Sequence, residues 1–226
     1  RKRSGRSALR RLRVFDPYYC TGGTRTALES LGCSPDAILH EKRDFYADVA
    51  SGAVPPHDVF LTNPPYSADH KLKLLDYLRK EQRKAATGVR PSPFLLLLPA
   101  WVVGNEYWQA FLSDLAGAAA RPGADHHGGR PARNGPLADR EREAGVFYVS
   151  PTTRYSFAHP EATGHDTSPF QAIWFCGGFG EDLKSAINSL KRARHSAAAA
   201  SRVEVFRKGS MLIRRGHFVP ARERRV

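Results

Sequence analysis

Apolar positions along this chain fall in short dense runs separated by segments of helical periodicity, and that alternation sets the first expectation of its fold. Residues 12–15 (Leu-Arg-Val-Phe) read as a strand, and Asp16-Pro17-Tyr18-Tyr19-Cys20-Thr21-Gly22-Gly23 as the loop behind it. Thr24 stands where it would cap a helix running through Leu28 and Leu31 to a stop at Gly32. Residues 37–40 form a second short strand ending near Glu41, a helical or turn segment passes Val49 and breaks over 52–56, and 58–62 is the next strand. Leu72, Leu75 and Leu78 recur at helical spacing and predict an amphipathic helix over 68–85 with a solvated basic face. Residues 94–98 are apolar at every position, as in a strand buried on both faces, and a helix over 106–115 comes next, anchored by Tyr107, Trp108, Phe111 and Leu112.

Residues 116–145 break this rhythm with glycine, proline and arginine and almost no apolar positions, which predicts a flexible insertion. His126 and His127 lie within it, but no third ligand is spaced to join them, so no metal site is expected. Two strands, 146–149 and 170–176, are joined by a polar loop, and 181–193 is a closing helix. Residues 203–206 and 211–213 fit either a terminal hairpin turning at Gly209 or a basic tail. Strand alternating with helix at this pitch argues an α/β fold, a mostly parallel sheet with helices on both faces and an antiparallel terminal strand. The expected organisation is a basic arm over 1–11, one domain over 12–195 and a tail or hairpin over 196–226.

Composition narrows the setting. A chain of 226 residues with 41% hydrophobic content holds one domain with a substantial core. Three cysteines, Cys20, Cys33 and Cys176, have no paired spacing, so neither a disulfide framework nor a zinc site is expected and a reducing intracellular compartment is, whether nuclear, cytoplasmic or organellar. No apolar run approaches a membrane span, so no membrane partner is expected. The formal net charge of +13 makes polyanions, nucleic acid above all, the leading partner class.

The most restrictive stretch is Asn63-Pro64-Pro65-Tyr66, directly after the apolar run Val59-Phe60-Leu61. Each proline fixes its own φ and pushes the residue before it out of the α region, so Asn63 and Pro64 are held extended. Neither proline has an N–H, which leaves carbonyls and the Asn63 amide, and then the flat face of Tyr66. A planar ligand with an exocyclic amine suits this cluster: the Asn63 side-chain oxygen and the Pro64 carbonyl accept its two hydrogens while Tyr66 stacks on the ring. A rigid strand-to-helix turn with a core tyrosine is the plain alternative. Ser67, Asp69 and His70 line the next turn as candidates to touch substrate, with capping of the next helix as the ordinary alternative and the expected role of Asp69.

An acidic-Pro-aromatic glycine loop after the first strand, the pair Asp44-Phe45, and Asn63 to Tyr66 at a strand's carboxyl end occur here in one order. In that order they resemble the Rossmann-like methyltransferases that use S-adenosylmethionine, in the amino-group branch with an Asn-Pro-Pro-Tyr motif. The resemblance spans Val14 to about Cys176 and implies a catalytic cluster of Asn63, Pro64, Pro65 and Tyr66. It further implies a cofactor loop of Asp16, Pro17, Tyr18, Gly22 and Gly23, with Glu41 on the cofactor ribose, Asp44 accepting from its adenine amine and Phe45 beside that ring. For Glu41 an exposed charge, and for Asp44 a turn aspartate, are the alternatives. Cys20 stands where the family usually has glycine, which puts the loop's shape in question; its ordinary role would be a small buried apolar residue.

Downstream, Arg154 is expected to meet a phosphate and Tyr155 or Phe157 a base, with a solvated arginine and core aromatics as the alternative. The resemblance implies methyl transfer to an exocyclic amine of nucleic acid, adenine N6 first, and RNA is preferred over DNA because 116–145 is too short and too polar for a DNA-recognition domain. Glutamine methylation on a protein is the second enzymatic reading. A degenerate methyltransferase fold serving as an RNA-binding or scaffold subunit, with a protein partner or ribonucleoprotein particle, is the third.

Overall fold

The computed structural model describes residues 8–66, 68–119, 136–151, 170–194 and 203–214. Seven strands form a single mixed sheet: β1 (Val14–Phe15), β2 (Ile38–Leu39), β3 (Val59–Thr62), β4 (Phe94–Pro99), β5 (Phe147–Pro151), β6 (Ala172–Gly177) and β7 (Val203–Phe206), in the order β2-β1-β3-β4-β6-β5-β7. The first four are parallel. β6 enters antiparallel between β4 and β5, and β7 closes the edge antiparallel to β5. The expectation of an α/β architecture with a mostly parallel sheet therefore holds for the half that carries β1 to β4. The antiparallel character is larger than one terminal strand, because β7 adds a second.

Helices α1 (Gly23–Leu31), α2 (Phe45–Ser51), α3 (Ala68–Arg83), α4 (Glu106–Ala119), α5 (Leu137–Glu143), α6 (Leu183–Arg194) and α7 (Gly209–Arg214) flank the sheet. Alternation along the strands decides which face each residue serves. Phe15, Phe60, Phe94, Leu96, Leu98, Tyr148, Ile173 and Phe175 join one large core with residues of α2, α3, α4 and α7. The neighbouring positions face the other way: Val14, Ile38 and Leu61 pack with Leu28 of α1, and Phe147, Val149 and Cys176 with Ile187 of α6. Each fully buried phenylalanine or leucine contributes about 1.5–3 kcal/mol, so the denser first face dominates the stability. Leu95 and Leu97 are half-buried, so β4 is less enclosed on its second face than its unbroken apolar run predicts.

Three sequence expectations are corrected. Thr24 does not cap α1, whose N-cap is Gly22 with no side-chain bond. Both ends of the 116–145 stretch are helical, since α4 continues to Ala119 and α5 covers Leu137–Glu143. Its apolar content is low, but Glu141 is buried by Tyr148 and Gly209, a polar anchor that hydrophobic patterning does not register. The stretch 196–226 is neither tail nor hairpin throughout: β7 pairs with β5, and the residues expected to form its return strand are helical in α7. No helix among the described residues is long and apolar enough to cross a membrane.

Candidate functional site

The carboxyl ends of β1 and β3 meet where the strand order reverses, because the chain passes from β1 to β2 on one side and returns to β3 on the other. Ligands of open α/β sheets bind at such a point. Asp16, one residue past β1, is buried there. Its Oδ1 accepts from the Thr62 hydroxyl at 2.6 Å and the Tyr18 N–H at 3.2 Å, and its Oδ2 accepts from the Thr24 hydroxyl at 2.8 Å. Thr24, lost as a cap, thus ties α1 to the end of β1. Burial pushes the Asp16 carboxyl up from its ordinary value, opposed by the Thr62 and Thr24 bonds and by His40. His40 Nδ1 lies 3.1 Å from the Asp16 carbonyl oxygen, and its buried Nε2 has no hydrogen-bond partner among the described residues.

The glycine loop then turns back over this lock. Cys20 has φ of 47°, the left-handed region that glycine enters without cost and an L-residue only at about 1–2 kcal/mol. It is exposed rather than buried, so the small-apolar expectation fails and the side chain is free of the turn it strains. Gly22 is also left-handed, and a Cβ placed on it would come within 3.0 Å of the Tyr19 hydroxyl oxygen. Tyr19 stacks on the His40 ring at 5.0 Å between centroids, covering the loop. Gly23 opens α1.

Tyr18 connects the loop to two other segments. Its hydroxyl lies 2.7 Å from that of Tyr46 in α2, and the Tyr46 hydroxyl donates to the His70 carbonyl at 3.1 Å and lies 3.2 Å from His70 Nδ1. Burial raises the Tyr18 phenol above its usual value, so it is a neutral donor at physiological pH. Asp44 is the N-cap of α2: the N–H groups of Tyr46 and Ala47 both donate to its Oδ1, at 2.9 and 3.1 Å. The turn role is therefore real, and it engages one of two carboxylate oxygens. Phe45 is buried among Phe15, Tyr18, Phe60 and Tyr77.

Between β1, β2 and α2 lies a depression of about 60 Å³ lined by Phe15, Pro17, Leu39, Glu41, Arg43, Phe45, Asp48 and Pro55. Glu41 is exposed on its rim and lies 3.8 Å from Arg43, which pairs more closely with Asp48 at 2.8 Å. Its lining is mostly apolar, and its charged part is made of Glu41 and Asp48, both paired with Arg43. Its volume is small, so it is an open depression and not an enclosing pocket.

Asn63 comes directly after Thr62, so the Thr62–Asp16 bond holds the tetrapeptide against the loop after β1. Pro64 is buried, Asn63 and Pro65 are exposed, and Tyr66 is half-buried. The Tyr66 hydroxyl donates to Asn63 Oδ1 at 2.7 Å and approaches the Leu97 carbonyl at 3.4 Å, while its ring meets Phe170 edge-on at 5.4 Å. An amide oxygen has two lone pairs, so this bond orients the Asn63 side chain and leaves acceptor capacity. Asp69 lies inside the first turn of α3 instead of capping it. Arg154, Tyr155, Phe157 and Ser67 lie outside the described residues. The structure thus brings Asp16, Tyr18, Gly22, Glu41, Asp44 and Asn63 to one end of the sheet, joins His70 of the turn after Tyr66 to them through Tyr46, and adds Thr62, Thr24, His40 and Tyr46, which sequence reasoning did not assign to the site. Thr62 alone carried a signal, as a polar residue ending an apolar strand. Compared with protein-family models and with curated protein sequences, the chain matches none.

Proposed function

We propose that this protein has the Rossmann-like methyltransferase fold and transfers a methyl group from S-adenosylmethionine to an exocyclic amine of nucleic acid, adenine N6 in RNA by preference. One observation carries the reading: Asn63-Pro64-Pro65-Tyr66 stands at the carboxyl end of β3, bound through Thr62 and Asp16 to a glycine loop at the end of β1. The two landmarks that the reading requires are neighbours at the reversal point of the sheet.

Glu41 would accept from the cofactor ribose, Pro17, Leu39 and Phe45 would give its adenine an apolar footing, and Asp44 has a second oxygen for the adenine amine. The cofactor, when bound, supplies an electrophilic sulfonium methyl. An exocyclic amine is a poor nucleophile because its lone pair is delocalised into the ring. Asn63 Oδ1, oriented by the Tyr66 hydroxyl, and the Pro64 carbonyl accept its two hydrogens and favour a more tetrahedral nitrogen, an effect of alignment and electrostatics that needs no metal ligand. The prolines hold both acceptors without reorganisation. A base drawn from a strand leaves its stack, and the Tyr66 ring offers a replacement surface.

The test is transfer of labelled methyl from S-adenosylmethionine to fractionated RNA, DNA and protein, with identification of the modified nucleoside or residue. Asn63→Ala should abolish transfer and leave cofactor affinity nearly unchanged, since Asn63 is exposed and Tyr66 keeps its approach to Leu97. Equal activity in that variant refutes the assignment of the acceptor site. Label on glutamine alone moves the substrate from nucleic acid to protein.

A further inference from the structure

Lys71, in the first turns of α3, is held by aromatic rings from another part of the chain. Its Nζ lies 5.0 Å from the centroid of the Trp101 ring and 6.0 Å from that of Tyr107. Trp101 sits in the short helical segment after β4, and Tyr107 in the first turn of α4, where its hydroxyl accepts from Asn105 Nδ2 at 3.0 Å. Lys71 is half-buried, and the loss of water pushes its ammonium down from the ordinary lysine value. Among the described residues no carboxylate lies within ion-pair distance of it, whereas Lys80 further along the helix pairs with Asp76 at 2.9 Å. A partly desolvated cation fixed by two π faces, with no carboxylate partner among the described residues, suits an anion.

The surroundings have the same bias. Lys73, two residues on, is a second cation, and its Nζ lies 5.5 Å from the Tyr46 ring. Asp69 and Glu106, each in the first turn of its helix, are the nearby acids in sequence. Cations at the amino end of a helix oppose its dipole, so local helix energetics do not explain their placement. Lys71 follows the Asn63 to Tyr66 turn by five residues and faces the segment after β4, the strand whose Leu97 carbonyl Tyr66 approaches.

We propose that Lys71, aimed by Trp101 and Tyr107, is the subsite for a backbone phosphate of the single-stranded RNA that presents the acceptor amine. The proposal rests on the reading of Asn63 to Tyr66 as the acceptor site. A cation held in place close in the chain to the acceptor turn suits one phosphate of a strand, and the net charge of +13 supplies the long-range attraction.

The experiment is fluorescence anisotropy of a short labelled single-stranded RNA against the full chain across a salt series, with methyl transfer measured in parallel. Lys71→Ala should weaken binding about tenfold and lower the slope of log affinity against log salt by about 0.7, the loss of one phosphate contact on a single strand. Lys71→Arg should restore both. Lys80→Ala, on the same helix but paired with Asp76, should change the slope less than Lys71→Ala does. Affinity and slope unchanged in a folded Lys71→Ala protein overturn the subsite, even where methyl transfer to RNA is intact. Lys71-dependent RNA binding without any transfer upholds the subsite and overturns the methyl-transfer reading.

Discussion

Tyr148→Phe removes a single oxygen from the middle of the protein, and the contacts of that oxygen set the expected loss. Tyr148 and Glu141 are both fully buried. The Tyr148 hydroxyl donates to Glu141 Oε1 at 2.7 Å and accepts from Trp108 Nε1 at 3.1 Å, while the Gly209 N–H donates to both Glu141 oxygens at 2.9 and 3.0 Å. Removing the hydroxyl takes a donor from a buried carboxylate, about 1.5–3 kcal/mol, and strands the indole N–H of Trp108 at a further 1–3 or so. We expect about 3 kcal/mol overall, equivalent to a fall of about 6–12 °C in Tm for a chain of this size.

The loss should also depend on pH. Burial raises the Glu141 carboxyl above its ordinary value, and the Tyr148 and Gly209 bonds pull it back down. A carboxyl raised in the folded state binds more protons folded than unfolded, so its contribution is greatest below the unfolded value of about 4.3 and declines as pH rises through the folded one. Without the hydroxyl the folded value climbs further. The penalty of Tyr148→Phe should therefore be larger at pH 8 than at pH 5, measured by urea unfolding monitored through tryptophan fluorescence. A loss below about 1 kcal/mol, or a penalty that shrinks with pH, refutes the reasoning.

Other substitutions test separate parts of the fold. Cys20→Gly should leave stability level or raise it by about 0.5 kcal/mol, because release from the left-handed conformation outweighs the added chain entropy; a thermal melt showing a loss above about 1 kcal/mol contradicts the strained turn. Gly177→Ala places a Cβ 2.4 Å from Phe94 Cζ and 3.1 Å from Val146 Cγ2, both buried, so overpacking should cost about 1–3 kcal/mol in denaturant unfolding, and a neutral result would show that the sheet yields there. Thr62→Val should destabilise by about 1.5–3 kcal/mol through loss of the donor to buried Asp16, with Thr62→Ser recovering most of it; equal stability of the valine and serine variants rules out the hydrogen bond as the cause.

How far the fold was legible depended on the distance between interacting residues. The helix stop at Gly32 was readable because the left-handed C-cap is a local property, and it is observed with φ of 100°. The amphipathic α3 was readable from Leu75 and Leu78, both buried, although Leu72 on the same pattern is exposed. Failure came where polar contacts across the chain replaced local preference. Thr24 has the chemistry of a cap but finds Asp16. Residues 211–213 look like half a hairpin, yet Gly209 is held by Glu141 from 68 residues away, and the chain turns helical there.

By itself the sequence determined the alternation of strand and helix, the parallel character of β1 to β4, and the rigid turn at Asn63-Pro64-Pro65-Tyr66, since each depends on periodicity or on the fixed φ of proline. Only the tertiary structure decided the rest: that β7 rather than β6 forms the edge, that Asp16 is held by Thr62 and Thr24, and that Lys71 lies against Trp101 and Tyr107. These are pairings between residues far apart in the chain. Periodicity carries the identity of each partner but not which of many similar partners the folded chain will bring to it.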